Sequence, residues 1–256
     1  MLAEERFSTI IRLLEQKNSV SVPELTALFG VSESTVRRDL SEMNDLGYLK
    51  KVHGGATSIK THHITYNDNL SVRATKNMDV KRRMAQYAAQ LITTDDFVFL
   101  DSGTSIDVLV DVISVTNCHF VTNNLSSACK LAAMGNFVHI LGGSLDPTIS
   151  ATIGADTYID LKKYNFTLGF FGVNGIHRHS GFSTPFAPDA IVKQEAIRRC
   201  KNSYIIADPS KFDCVANVTF ASLSDASIIT TEVPDVVWRT LATVIEVDRL
   251  SDDTSV

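Results

Sequence analysis

The stretch SESTVRRDL, Ser32–Leu40, sets two arginines side by side behind a cluster of hydroxyls. Neighbouring positions on a helix point about 100° apart and do not brace each other. Arg37 and Arg38 are therefore poor helix stabilisers, and well spaced to read a polyanion. One guanidinium can reach a guanine edge with two hydrogen bonds while its neighbour takes a phosphate. Ser32, Ser34 and Thr35 add short donors for phosphate oxygens. A little downstream, LGYLKKVHGGA places Lys50, Lys51 and His53 just before a glycine pair. Basic residues on such a turn suit the sugar-phosphate backbone or the minor groove. Arg37 and Arg38 pairing with Glu33, Asp39 or Glu42 is the plainer alternative, and each feature taken alone would leave it ahead.

A second set of polar residues follows apolar stretches further along the chain. DSGTS (Asp101–Ser105) comes after FVFL and opens a helical pattern. Its backbone N–H groups and the hydroxyls of Ser102, Thr104 and Ser105, with Gly103 between them, suit a phosphate at a helix N-terminus. TNN (Thr122–Asn124), GGS (Gly142–Ser144), GVNGI (Gly172–Ile176) and DPSK (Asp208–Lys211) each close a further apolar run. A single such loop is an ordinary turn. Their recurrence at strand ends implies a crevice for a polyol or a phosphate. The ammonium of Lys211 would attract the anion. Isomerising an aldose phosphate would need a general base near its C2 proton. Asp101, Asp189 and Asp208 offer carboxylates, with Lys211 as electrophile, but no paired-carboxylate motif stands out. Binding without catalysis is the expected role, and no cofactor is implied.

The elements that must position these groups are legible from periodicity. Phe7, Ile10, Ile11 and Leu14 share one face of a first helix. Ser21 and Glu24 form a capping box for a second, with Pro23 in its first turn, Leu25, Leu28 and Phe29 facing inward, and Gly30 ending it. Ser32 caps a third helix whose Val36, Leu40 and Met43 pack inward, leaving Ser34, Thr35, Arg37, Arg38, Ser41 and Glu42 outside. Tyr48 to Val52 reads as a strand, with Gly54 and Gly55 as its turn. This is a helix-turn-helix followed by a wing, spanning residues 1–56. Residues 57–75 read as a polar linker, with His62 and His63 a solvated pair. From residue 76 to about 250, short apolar strands alternate with helices, which implies an α/β domain with a mainly parallel sheet.

Composition sets outer limits. Of 256 residues, 44% are hydrophobic and 21% charged, which suits a folded protein with a sizeable core. The net charge of −5 argues against a polyanion partner until its distribution is examined. Residues 1–60 carry eight basic and eight acidic side chains, and residues 61–256 carry sixteen and twenty-one, so the acidic excess lies wholly in the second part. No apolar run approaches a membrane span and the first residues lack a signal-peptide core, so the expected location is the cytoplasm. Cys118, Cys129, Cys200 and Cys214 lie far apart with no metal-ligand spacing, as expected of thiols in a reducing compartment.

The segment VSVPELTALFGVSESTVRRDLSEMNDLGYLKKVHGGA resembles the winged helix of DeoR-type bacterial transcription regulators. Their Ser-x-x-Thr-Val-Arg-Arg-Asp-Leu recognition helix and Val-His-Gly-Gly-Ala wing are present without gaps. FLDSGTS, VTNNL, LGGSL, GVNGI, GFSTP and ADPSKF continue the resemblance, in order, through the effector domain from about Arg73 to Glu232. The resemblance implies a ribose-5-phosphate-isomerase-like domain that senses a phosphorylated sugar. In that domain Ser102, Gly103, Thr104 and Ser105 would hold the phosphate, and Asn123, Asp208 and Lys211 would line the sugar site. The implied partners are double-stranded operator DNA and a sugar phosphate, and repression is the family expectation. Two positions depart from the family pattern: Asn174 stands where Asp is common, and Asp189 where Glu is common. A symmetric homo-oligomer, at least a dimer, is also expected, because one short recognition helix covers few base pairs. With no heptad repeat in the chain, the α/β domain would carry that contact.

Overall fold

The computed structural model describes residues 2–58, 62–66 and 70–253. The chain divides into two compact units, Met1–Thr61 and His62–Val256.

In the first unit, α1 (Ala3–Lys17) leads through β1 (Ser19–Ser21) into α2 (Val22–Phe29) and α3 (Glu33–Asp45). The wing follows as β2 (Lys50–Val52) and β3 (Gly55–Thr57), and β3 pairs antiparallel with both β1 and β2. Ser21 and Glu24 make the reciprocal capping box of α2, and left-handed Gly30 ends it. The Ser32 hydroxyl accepts from the Thr35 N–H at the start of α3. Ile10, Leu14, Leu25, Val36, Leu40, Met43 and Leu49 form the core. Leu28 is 55% exposed, not inward. The stripe that packs on α2 runs through Val22, Leu25 and Phe29, and Leu28 falls at its edge on a helix of only eight residues. Gly55 has no substitute: a Cβ there would lie 2.1 Å from the Val20 carbonyl oxygen, so only glycine lets the wing close against β1.

Arg6 and Asp39 supply a contact that helical periodicity does not announce. The Arg6 guanidinium donates to both carboxylate oxygens of Asp39, at 2.6 and 2.9 Å, and both residues are buried. The carboxylate holds the arginine above its ordinary pKa, chiefly through that hydrogen bond. Asp39 is thereby committed to α1, and is no partner for its neighbours Arg37 and Arg38.

The second unit opens with β4 (His62–Ile64), α4 (Leu70–Thr75) and α5 (Met78–Gln90). Two of these elements lie in the stretch read as linker: β4 pairs with a later strand, and α4 packs near the helix that opens the crevice. His62 and His63 are exposed, but on a paired strand. Next come β5 (Phe97–Leu100), α6 (Thr104–Val112), β6 (His119–Thr122), α7 (Leu125–Ala133) and β7 (Phe137–Ile140). A hairpin of β8 (Ser144–Asp146) and β9 (Ala151–Ile153) leads to α8 (Ala155–Leu161) and β10 (Phe166–Phe171). Then follow β11 (Gly175–His177), β12 (Gly181–Thr184), α9 (Ala187–Arg199) and β13 (Cys200–Ile206). The chain finishes with β14 (Cys214–Ala216), β15 (Val218–Ala221), β16 (Ser227–Thr230), α10 (Trp238–Leu241), β17 (Val244–Glu246) and α11 (Val247–Asp253).

Among the described residues, seven parallel strands form the main sheet in the order β17-β16-β13-β10-β5-β6-β7. Both faces are covered, which is why the strands read as unbroken apolar runs. Phe99 and Phe171 point to the face packed by α9, while Val98, Leu100 and Phe170 point to the face packed by α5 and α6. A smaller antiparallel sheet, β11-β12-β15, adds Ile176, Phe182 and Phe220 to the α9 side. The chain leaves β5 toward β7 and returns at β10 to build toward β17. The reversal between β5 and β10 is the point where open α/β sheets leave a crevice beyond the strand ends.

Candidate functional site

The first site is the outer face of α3 with the wing. Ser32, Ser34 and Thr35 sit together at the start of α3: the Ser32 hydroxyl lies 2.8 Å from that of Ser34 and 2.9 Å from that of Thr35. Arg37 and Arg38 are both exposed on the same helix. Arg37 donates to Glu33 one turn back at 2.9 Å, a solvent-exposed pair. Among the described residues no hydrogen bond or ion pair engages the Arg38 side chain. Lys50, Lys51 and His53 are exposed on the wing. The Lys51 ammonium meets the Ser41 hydroxyl, and its backbone N–H donates to Asn44 at 3.0 Å, so the wing is tied to the side of α3. Every residue picked from the sequence for this face is thus on one element pair. The Glu33–Arg37 contact is worth only about 0.3–0.5 kcal/mol as an exposed pair, a weak rival to a phosphate.

The second site is a crevice of about 740 Å³, open mouth included, at the ends of β5, β10 and β13. Ser102, Gly103, Thr104, Ser105, Asp208 and Lys211 line it, as do Gly172, Val173 and Asn174. Gly103 holds φ at +132°, a conformation open to glycine, and stands where a capping side chain would otherwise close the start of α6. The first N–H groups of α6 are left for a ligand. Asp208 is buried on the lining, and one of its oxygens accepts from Asn77 at 3.1 Å and from the Ser210 N–H at 3.0 Å. Asn123 is not part of the lining. It is fully buried and donates to the Thr152 carbonyl at 3.2 Å, tying β6 to the β8–β9 hairpin.

Three further cations on the lining, Arg73, Lys76 and Lys81, were not anticipated. Lys81 is 4% exposed, and its ammonium donates to Thr104 at 2.9 Å and to the Arg73 carbonyl. Burial lowers its pKa below the ordinary lysine value; Asp208 pulls the other way, and Lys211 and Arg73 push further down. The signal was in the sequence: Lys81, Met84, Ala85 and Ala88 form one helical stripe, so a lysine occupied a core-facing position. Arg73 donates to the Thr148 carbonyl at 3.2 Å.

A buried cluster adjoins the lining. Asp101 closes β5 with no exposure, and Lys193 and Asp189 come from α9. The Lys193 ammonium bonds the Asp101 carboxylate and lies 3.5 Å from Asp189. Asp101 also accepts from the Gly172 N–H at 2.9 Å, and Asp189 accepts from the Thr184 hydroxyl at 2.8 Å. Burial pushes the Asp101 carboxyl up to about 6 despite the nearby ammonium. Burial works to lower the pKa of Lys193, but the two carboxylates outweigh it and raise it. One oxygen of Asp101 and one of Asp189 have no hydrogen-bond partner. Asp101 is therefore locked in an ion pair, an arrangement unlike a free general base. Among the described residues, no three His, Cys, Asp or Glu side chains gather as a metal site, and no helix is long and apolar enough to cross a membrane.

Comparison with known proteins converges on one family. The DeoR-like helix-turn-helix domain matches residues 6–62, and the DeoR C terminal sensor domain matches residues 76–233. An uncharacterized HTH-type transcriptional regulator of Bacillus subtilis, FruR, is 36% identical over 239 residues, covering 93% of this chain and 94% of its own. The lactose phosphotransferase system repressor of Streptococcus mutans is 31% identical over 240 residues, covering 92% and 94%. Among solved structures, ribose 5-phosphate isomerase A from Methanocaldococcus jannaschii shows a faint likeness of fold. It has 11% identity and a TM-score of 0.40 over 54% of this chain and 55% of its own. The chain belongs to the DeoR family, and it is a DNA-binding transcriptional regulator, not an enzyme.

Proposed function

We propose that this regulator represses genes of sugar metabolism and that a phosphorylated sugar in the crevice controls its grip on operator DNA. One observation carries the reading of the ligand. Arg73, Lys76, Lys81 and Lys211 converge on the uncapped start of α6, beside the hydroxyls of Ser102, Thr104 and Ser105. Cations, free N–H groups and hydroxyls together form a receptor for a phosphate monoester. The lactose phosphotransferase system repressor, a relative along nearly the full length, is named for a sugar system. On the DNA side, Arg37 and Arg38 read bases and phosphate, Ser32, Ser34 and Thr35 anchor the start of α3, and Lys50, Lys51 and His53 hold the backbone from the wing. Two copies of the chain place two α3 helices on paired half-sites, and the protein works in the cytoplasm.

A thermal-shift panel of sugar phosphates identifies the ligand, with the unphosphorylated sugars as controls. Fluorescence anisotropy on an operator obtained by in vitro selection then measures DNA release. A ligand that raises the melting temperature and changes operator affinity supports the reading. Stabilisation by free sugars and phosphate esters alike would remove the phosphate receptor from it.

A further inference from the structure

The inner wall of the crevice carries information about the ligand beyond its phosphate. Asp189 lies in the first turn of α9, lines the crevice and is 5% exposed. One of its oxygens accepts from Thr184; the other makes no hydrogen bond and lies 3.5 Å from the Lys193 ammonium, which is taken up by Asp101. Behind it, Asp101 is in the same condition: one oxygen takes the Lys193 ammonium and the Gly172 N–H, and the second takes nothing. Two carboxylates face one ammonium that bonds only Asp101, so the cluster keeps one net negative charge and two oxygens outside any hydrogen bond. Leaving a buried acceptor unmatched is costly, and a ligand hydroxyl relieves that cost by donating to it. A ligand carboxylate brings no proton to donate, and its charge meets another of the same sign in a poorly solvated place.

We propose that this wall selects neutral phosphate esters, those of sugars and polyols, against phosphorylated sugar acids, and that Asp189 imposes the choice. The inference rests on the crevice being the phosphorylated-sugar site and adds what its acidic side demands. The cationic end takes the phosphate, and the acidic end takes a hydroxyl. A receptor for phosphate alone would need only the first. A sugar acid of equal length satisfies the first and is opposed at the second.

The test is calorimetric titration of the full chain with inorganic phosphate and with matched esters. The pairs are ribose 5-phosphate with 5-phosphoribonate, and glucose 6-phosphate and glucitol 6-phosphate with 6-phosphogluconate. At least one neutral ester should bind more tightly than inorganic phosphate and about tenfold or more tighter than its acid partner. In Asp189→Asn the binding of inorganic phosphate should hold, the neutral ester should weaken, and the gap to the acid should close. The wild-type ratio stands even if that variant folds poorly. Equal affinity for a neutral ester and its acid overturns this inference and leaves the phosphate receptor intact. So does phosphate binding that no neutral ester improves. A chain that binds none of the probes, inorganic phosphate included, removes the receptor itself and this inference with it.

Discussion

Arg6 and Asp39 in the winged helix meet side-on, and one guanidinium takes both oxygens of one carboxylate. In the sensor unit, Asp101 and Asp189 face one ammonium, and each keeps an oxygen outside any hydrogen bond. Both arrangements bury charge, yet only the second is unfinished. A closed pair has its hydrogen bonds made and serves as a joint, here between α1 and α3. An open cluster beside a crevice has acceptor capacity left for a ligand. Burial alone therefore does not mark a functional carboxylate, and the role proposed for Asp189 rests on its place at the crevice.

Breaking the closed pair should have the largest effect. Asp39→Ala removes the carboxylate that a buried arginine bonds through two nitrogens, and the first unit should lose about 3–5 kcal/mol. Hydrogen exchange of the amides in α1 to α3 would show it, while amides of the parallel sheet keep their protection. A loss below about 1 kcal/mol would mean that the pair is not the joint described above.

The open cluster should respond differently, because its charge is unbalanced. Lys193→Met removes the cation that meets both carboxylates, so the second unit should be destabilised near neutral pH. The sign follows from linkage. Asp101 already has a folded-state pKa raised to about 6, and without Lys193 it rises further. A carboxyl whose pKa is higher in the folded state binds more protons there, so stability increases as pH falls toward its unfolded value. The variant's deficit should shrink between neutral pH and about pH 5. Urea unfolding followed by the single tryptophan, the fully buried Trp238, reads this out. A deficit that does not change with pH would assign the loss to packing.

Surface cations should separate binding from stability. Arg37→Ala and Arg38→Ala should each cost about 1–3 kcal/mol in operator binding and leave unfolding nearly unchanged. A base-reading arginine relaxes one operator position, and a phosphate-reading one weakens all sequences and flattens the salt dependence. Unchanged operator affinity for both variants at moderate salt would break the docking of α3. Lys211→Ala should weaken the sugar phosphate roughly tenfold to a hundredfold, as loss of a charge-assisted hydrogen bond would, with DNA binding in its absence kept. Wild-type affinity in a calorimetric titration would return Lys211 to the ordinary surface lysines.

Much of this molecule was legible in one dimension because its signals are local. A capping serine, a left-handed glycine and an apolar stripe act within a few residues, so α2 and α3 could be read off with their caps. The alternation of apolar strands with helices and the polar loops at strand ends follow from the same short-range rules. The stretch after the wing was less legible: β4 has three residues and finds its partner β14 about 150 residues later. Leu28 shows the limit of periodicity at the edge of a stripe, where geometry on a short helix decides which way a side chain turns.

By itself the sequence determined the helix that carries Arg37 and Arg38 and the hydroxyl loop that opens α6, because each depends on neighbours in the chain. Only the tertiary structure decided which charges meet. Arg6 finds Asp39 across 33 positions, and Lys193 finds Asp101 across 92, while Asn123 turns away from the crevice into a hairpin. The physical reason is range. Hydrogen bonds within a turn are set by adjacent residues, but the partner of a buried charge is whatever the packing of distant elements brings within about 3 Å.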